Sequence, residues 1–226
     1  MKLILTSLFL SALLLLNSCR NSKQASDAPT SNNPQPTSAI KQNPSNTATA
    51  KSESIEFKRE GGIDAFTLKL KENGAKLVDA NNQELIRLNT DEKQKIKIKN
   101  SADKSLGYVV TKNGYWKLEN AAQSQELYVL RRQADGDYKL ENAANKEIYR
   151  IKVRDYGFEI ETPTKQSLYK VKTQEGKVSL RDATDKTVLY TKSGVAPIAI
   201  ACFGFDVLTP EQKAALAYAV TLSGGQ

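Results

Sequence analysis

The sequence has 226 residues, with 33 lysines and arginines against 25 acidic residues, so its formal net charge is +8. It contains no histidine, and this removes the usual general base and the commonest side-chain ligand of transition metals. The composition therefore argues against an enzyme and against a metal site or other cofactor. The basic excess predicts attraction to anionic lipid or polymer, and we expect no nucleic-acid partner.

The N-terminus has the layout of a signal peptide. Lys2 precedes an apolar run that reaches Leu16, which is too short to span a membrane comfortably. The sequence Leu-Asn-Ser-Cys at positions 16–19 resembles the lipobox of bacterial lipoproteins. Residues 1–18 are therefore predicted to be cleaved, and Cys19 to carry the lipid. The alternative is an ordinary secretory signal that happens to contain a cysteine.

Residues 19–54 are rich in Ser, Asn, Gln, Thr, Ala and Pro. Such a segment has too little apolar surface to offset the entropy of ordering, so we interpret it as a disordered tether between Cys19 and one folded domain at 55–226. Two or three acyl chains would anchor the protein stably. The predicted location is the cell envelope, on a membrane and facing the periplasm or the cell exterior.

A repeat of about twenty residues runs through the domain. In each copy an apolar strand leads to a polar turn, often Asn-Ala or Asp-Ala, and then to a second apolar strand. Alternation with period two predicts strands, and the turn residues predict hairpins. Six hairpins give about twelve antiparallel strands, which we expect to close into a barrel because an open meander of that length leaves exposed edges. The leading residues are Leu77, Ile98, Leu118, Leu140, Ile160 and Leu180, and Phe57 begins what we interpret as a degenerate seventh copy.

A helix is predicted at 210–222. Thr209 suits the N-cap, Pro210 the first turn, and Gln212 completes a capping box. The following residues are apolar on nearly every side, which is typical of a helix buried in a core or a membrane. We expect this helix to fill the barrel. Joined to the small apolar residues 195–208 it resembles a membrane span, but the polar segment 209–213 argues against that alternative.

Six hairpins followed by an apolar C-terminal helix resemble the tubby-like superfamily, and within it the LURP-one-related and phospholipid-scramblase-like proteins. The resemblance covers residues 55–226 and rests on the order of parts, without an invariant site motif. It implies a twelve-stranded barrel around a central helix, and a binding or membrane-associated domain. Relatives in the tubby branch bind phosphoinositides through basic residues outside the barrel, but none of those residues can be matched to a position here.

Strand alternation places several cations on one outer face, opposite the apolar side chains. This basic stripe is a candidate site for anionic lipid or polymer, although ordinary cross-strand pairing with Glu119, Glu141 and Glu161 is the favoured explanation. The recurring Tyr128, Tyr149 and Tyr169 are interpreted as core residues, as are Trp116 and Cys202. The stripe consists of Arg131, Arg150, Lys152, Arg154, Lys170 and Lys172.

Two functional hypotheses remain. The first is a lipid-anchored, non-enzymatic barrel that binds a membrane lipid or another hydrophobic or anionic ligand. The second is a structural or adhesive module that binds protein or cell-wall polymer along an open array of hairpins. The apolar helix separates them, because an open array has no interior to fill. The sequence does not indicate an oligomeric state.

Overall fold

The structure is a computed structural model, and it describes residues 54–225. The predicted signal peptide, Cys19 and nearly all of the tether lie outside the described residues. Within residues 54–225, no helix has both the length and the apolar character needed to cross a membrane.

Fourteen strands and two α-helices make up the described part of the chain, with short 3-10 turns at Glu60–Gly62 and Cys202–Gly204. The helices are α1 (Pro197–Ala201) and α2 (Pro210–Leu222). The strands are β1 (Ser54–Lys58), β2 (Asp64–Lys71), β3 (Gly74–Asp79), β4 (Glu84–Thr90), β5 (Lys95–Asn100), β6 (Ser105–Lys112), β7 (Tyr115–Glu119), β8 (Glu126–Arg132), β9 (Tyr138–Asn142), β10 (Glu147–Arg154), β11 (Gly157–Glu161), β12 (Ser167–Gln174), β13 (Lys177–Asp182) and β14 (Thr187–Thr191).

The strands form one closed antiparallel barrel in which each strand pairs with its neighbours in sequence. The pairing of Lys58 on β1 with Tyr190 on β14 closes it. The predicted barrel is therefore confirmed, and the open array of the second hypothesis is not formed by residues 54–225. There are fourteen strands instead of about twelve because the copy that begins at Phe57 makes a complete hairpin, β1–β2.

An Asn, Asp or Thr at the end of each repeated first strand, or directly after it, shapes the turn that follows. The Asn142 side-chain oxygen, for example, accepts hydrogen bonds from the backbone N–H groups of Ala144 and Lys146, both at 3.0 Å. The third residue after it, Asn145 in this hairpin, has a positive φ in every copy, and Asn adopts a positive φ more readily than most residues. Equivalent bonds to side-chain oxygens are made by Asp79, Asn100, Asn120, Thr162 and Asp182.

A β-bulge follows each of these turns at the same repeat position, where the pairing register shifts by one residue. A bulge increases the local twist of its strand, so six repeated bulges help to curl the sheet into a barrel. The extra residue is apolar in every copy: Leu85, Leu106, Leu127, Ile148, Leu168 and Val188. We call this end of the barrel the Asx end, and the opposite end, where β1 begins, the Ser54 end.

The interior is filled by the C-terminal segment. Residues 214–220 of α2 are all buried, at 0–4% exposure, and seven residues make about two helical turns, so every side of the helix is covered. The predicted capping box is present: Thr209 Oγ1 accepts from Gln212 N at 3.3 Å, and Gln212 Oε1 accepts from Thr209 N at 3.0 Å. Because α2 contacts β5–β7 while α1 contacts β11–β13, the two helices share the barrel interior.

Candidate functional site

The predicted basic stripe lies on the outer wall, on strands β8, β10 and β12, where most of its members are paired with acidic residues. Arg154 contacts Glu159 and Glu161, each at 2.8 Å, and Lys170 is the one stripe residue for which residues 54–225 supply no ion pair. The other pairs are Arg131–Glu141 at 3.4 Å, Arg150–Glu147 at 2.8 Å, Lys172–Asp185 at 2.8 Å, and Lys152–Asp137.

These contacts leave the stripe close to electrically neutral. Burial alone would raise the pKa of Glu159, but polar contacts with Ser167 and Arg154 hold that pKa below its ordinary value. The predicted partners Glu141 and Glu161 do pair with the stripe, whereas Glu119 pairs with Lys95 at 3.1 Å and with Lys117 at 3.4 Å. The geometry thus agrees with cross-strand pairing, and an anion-binding role for the stripe stays a prediction.

A second group of cations, which the sequence pattern did not indicate, crosses the outer wall of β2–β5. Lys69 lies directly opposite Lys76, Lys76 opposite Arg87, and Arg87 opposite Lys99. We call these four residues the cation row. With neighbouring strands about 4.8 Å apart, the row extends about 14 Å across the sheet.

Two carboxylates form ion pairs with members of the cation row. Glu84 lies 2.5 Å from Lys76 and 2.6 Å from Arg87, and Asp103 lies 3.0 Å from both Arg87 and Lys99. The remaining cation, Lys69, donates to the amide oxygen of Asn82 at 2.5 Å. Bonds from Lys76 hold the pKa of Glu84 below its ordinary value, and bonds from Lys99 do the same for Asp103.

The three recurring tyrosines pack with the core, as predicted. Tyr149 is buried and stacks on Phe205 with ring centroids 5.8 Å apart, while Tyr128 and Tyr169 are partly buried against the core. The Tyr169 hydroxyl donates to Asp206 Oδ2 at 3.0 Å. Burial, together with this bond, raises the pKa of Tyr169 to about 12.

Trp116 and Cys202 are also core residues, which confirms both predictions. Trp116 is fully buried, and its indole N–H donates to Ser223 Oγ at 3.1 Å. The Cys202 thiol is fully buried beside the carbonyl of Ile198, and burial raises its pKa far above the ordinary value. Residues 54–225 contain no group of three or more His, Cys, Asp or Glu side chains placed to hold a metal ion.

An open cleft of about 1120 Å³ lies at the Ser54 end. Its walls are the β2–β3 turn and the β4–β5 turn, and its floor includes the last turns of α2. Tyr218 and Leu222 of the helix line it together with Leu70. The Thr90 hydroxyl is buried beside the Tyr218 phenol without forming a well-aligned hydrogen bond, and burial raises the pKa of Tyr218.

Comparison with known proteins adds little about function. No protein-family model matches the sequence, and no curated protein is significantly similar to it. Among solved structures, the X-ray structure of a protein from Arabidopsis thaliana is similar at 12% sequence identity, with a TM-score of 0.37, over 66% of this chain and 86% of that chain. A likeness this distant carries no argument about activity or ligand, and the resemblance to tubby-like proteins stays a prediction.

Proposed function

We propose that this protein is a lipid-anchored component of the cell envelope whose barrel is a non-enzymatic binding domain for anionic lipid surfaces. The observation that carries the proposal is the cation row, in which four cations face one another across four strands with two carboxylates between them. The absence of histidine from the sequence and the filled interior of the barrel support a binding role over a catalytic one.

The energetics of the row favour an anionic partner. Like charges directly opposite each other on a sheet destabilise it, so the row has a cost that its two carboxylates offset only in part. An anionic surface supplies further negative charge at the same place. Near such a surface each basic residue contributes about 1 kcal/mol, and lipid anchoring would hold the barrel within its reach.

The anchor is tested by palmitate labelling of cells that express the chain. We expect the mature protein to carry label, and the Cys19→Ser variant to carry none, because only a thiol at the cleavage site accepts the diacylglyceryl group. Label retained in the variant would refute the anchor without bearing on the cation row.

The cation row is tested by flotation of residues 19–226, carrying Cys19→Ser, with vesicles that contain phosphatidylglycerol. Lys69→Gln, Lys76→Gln and Lys99→Gln together remove three charges and should weaken binding by about 3 kcal/mol, or roughly 100-fold. The control removes three exposed lysines that form no ion pair within residues 54–225, by Lys112→Gln, Lys146→Gln and Lys165→Gln, so the net charge of both variants is the same. If the cation-row variant and the control variant lost vesicle binding equally, net charge alone would explain the effect, and the proposal would be overturned.

A third variant addresses the predicted stripe, with Arg150, Lys152, Lys170 and Lys172 all changed to Gln. Because the stripe is nearly neutralised by its own carboxylates, we expect it to weaken vesicle binding less than the cation-row variant does, although it removes one more charge. If the stripe variant lost more vesicle binding than the cation-row variant, the binding surface would be assigned to the stripe instead. Melting curves for each variant show whether the fold is retained.

A further inference from the structure

The cleft at the Ser54 end combines features that the outer wall lacks. Its floor is apolar, and Leu222 in the last turn of α2 remains 46% exposed there. The only other large hydrophobic residue exposed at this end, within residues 54–225, is Val153, at 47%, and it does not line the cleft. A ligand that covers exposed apolar surface in a concave site removes that surface from water, which makes its binding more favourable.

The rim of the cleft is charged with both signs. Lys71 ends β2 and Glu72 follows it in the β2–β3 turn, while Glu92 and Lys93 come from the β4–β5 turn. None of these four side chains takes part in an ion pair within residues 54–225. A fifth charge, Asp91, accepts hydrogen bonds from the backbone N–H groups of Lys93 and Lys95 at 2.9 Å, so its carboxylate is already used by the turn.

From this arrangement we propose that the cleft binds a single-chain zwitterionic amphiphile, with its alkyl chain on the Leu70, Tyr218 and Leu222 floor. An anionic phosphate would face Lys71 and Lys93, and a quaternary ammonium would face Glu72 and Glu92. A head group with one sign of charge satisfies half of this rim and is repelled by the other half. The cleft volume of about 1120 Å³ is slightly above the range of about 300–1,000 Å³ that is typical of ligand sites, which suits an alkyl chain better than a small metabolite.

The inference deepens the proposed binding function by naming a second ligand and its site. It does not depend on the cation row, which lies on the outer wall of the barrel. Vesicle flotation reports on the row and monomeric amphiphile binding reports on the cleft, so either proposal can fail while the other stands.

The test is calorimetric titration of residues 19–226, carrying Cys19→Ser, with dodecylphosphocholine below its micelle concentration. Dodecanoate and dodecyltrimethylammonium carry an alkyl chain of nearly the same length with one charge, and phosphocholine carries the head group alone. We expect the zwitterion to bind at least tenfold more tightly than either singly charged amphiphile, and phosphocholine to give no measurable binding. The proposal would be overturned if all three amphiphiles bound with equal affinity. It would also be overturned if phosphocholine bound as tightly as dodecylphosphocholine.

Matched variants locate the site. Leu222→Ser should weaken dodecylphosphocholine binding about tenfold, whereas Val153→Ser, at an equally exposed residue of the same end, should leave it unchanged. Leu222→Met keeps the apolar surface and should bind as the unmodified chain does, which separates loss of contact from loss of fold. Equal binding by Leu222→Ser and the unmodified chain would overturn the assignment.

The rim is tested by the pair Lys71→Gln and Lys93→Gln, with Lys112→Gln and Lys192→Gln as a control of equal charge. The rim variant should lose its preference for the zwitterion over dodecyltrimethylammonium, because the contacts for the phosphate are gone. The control should retain the full preference. An unchanged preference in the rim variant would contradict the proposed orientation of the head group.

Discussion

Replacing Ala219 by aspartate is expected to unfold the barrel. Ala219 lies in the middle of α2 and is fully buried, so the new carboxyl would have neither water nor a charged partner. Full burial raises a carboxyl pKa by about 3–5 units. Neutralising the group at pH 7 therefore costs about 4 kcal/mol, and leaving it without a hydrogen-bond partner costs about 1–3 kcal/mol more. The total approaches the stability of an ordinary domain, about 5–15 kcal/mol.

The pH dependence separates this mechanism from simple overpacking. The aspartate pKa is raised in the folded state, so the folded state is penalised only above the unfolded pKa of about 3.9. The difference in unfolding free energy between variant and unmodified chain should shrink by about 4 kcal/mol from pH 7 to pH 4. Overpacking by three extra heavy atoms would give a difference that does not change with pH.

Urea unfolding measures the effect. Trp116 is the single tryptophan of the sequence and is buried beside Ser223, so its fluorescence reports on the closed barrel. Leu216→Asp and Val220→Asp should be as severe as Ala219→Asp, because all three residues are fully buried. These three residues lie on one side of the helix, since residues three and four apart share a face. Ala214 is buried on the opposite side, so Ala214→Asp should also be severe. If any of these four variants were within about 1 kcal/mol of the unmodified chain, the account of a helix enclosed on all sides would be refuted.

Lys213→Asp is the control at the start of the same helix. The sequence predicts that this change is tolerated. The structure adds that Lys213 Nζ lies 3.2 Å from Asp206 Oδ1, so the substitution removes a surface ion pair and places two carboxylates near each other. We expect a loss of about 1 kcal/mol, far below the loss expected at Ala219.

The Cys202 thiol should resist Ellman's reagent in the folded protein and react once urea unfolds it, because it is buried and its pKa is raised; reaction at the rate of a free cysteine without urea would contradict this. Glu159→Gln should cost about 1 kcal/mol at pH 7 and less towards pH 3. Because the folded-state pKa of Glu159 is lowered, its contribution to the free energy of unfolding is present above the unfolded pKa and is lost as the pH falls through the folded pKa. A cost of Glu159→Gln that urea titrations find constant with pH would argue against this contribution. Asn142→Ala removes two turn hydrogen bonds and should cost about 1 kcal/mol, whereas Asn142→Asp should cost less; equal melting temperatures for the Ala variant and the unmodified chain would show that the turn bonds add no stability.

Local sequence features predicted the hairpins, the turns and the helix. Asn142 and its counterparts act on backbone groups two and four residues ahead, and the capping box at Thr209 spans three residues. Interactions of this range are visible in the sequence because the partners are a fixed number of residues apart. The apolar character of α2 on all sides likewise indicated a helix enclosed by other elements.

Partners across the outer wall could not be predicted in the same way. Each bulge adds one residue to a strand, and a one-residue shift changes which side chains face each other. The pairing of Glu119 with Lys95 and Lys117, and the alignment of Lys76 with Arg87, depend on that register. The cleft also escaped prediction, because Leu70 and Leu222 are 152 residues apart and meet only when the barrel has closed around the helix.

The placement of α2 has a consequence for how the protein is made. A ribosome produces the strands first, so β1 through β14 exist before the segment that fills them has been synthesised. Until the residues from Pro197 onward arrive, the inner faces of the hairpins have only each other to contact, and β1 has to find β14 across more than 130 intervening residues. Exposed apolar strands of this kind are prone to aggregation. A chain that stops short of α2 would therefore present an unfilled sheet to chaperones and proteases, so a segment made after all fourteen strands decides whether the product survives.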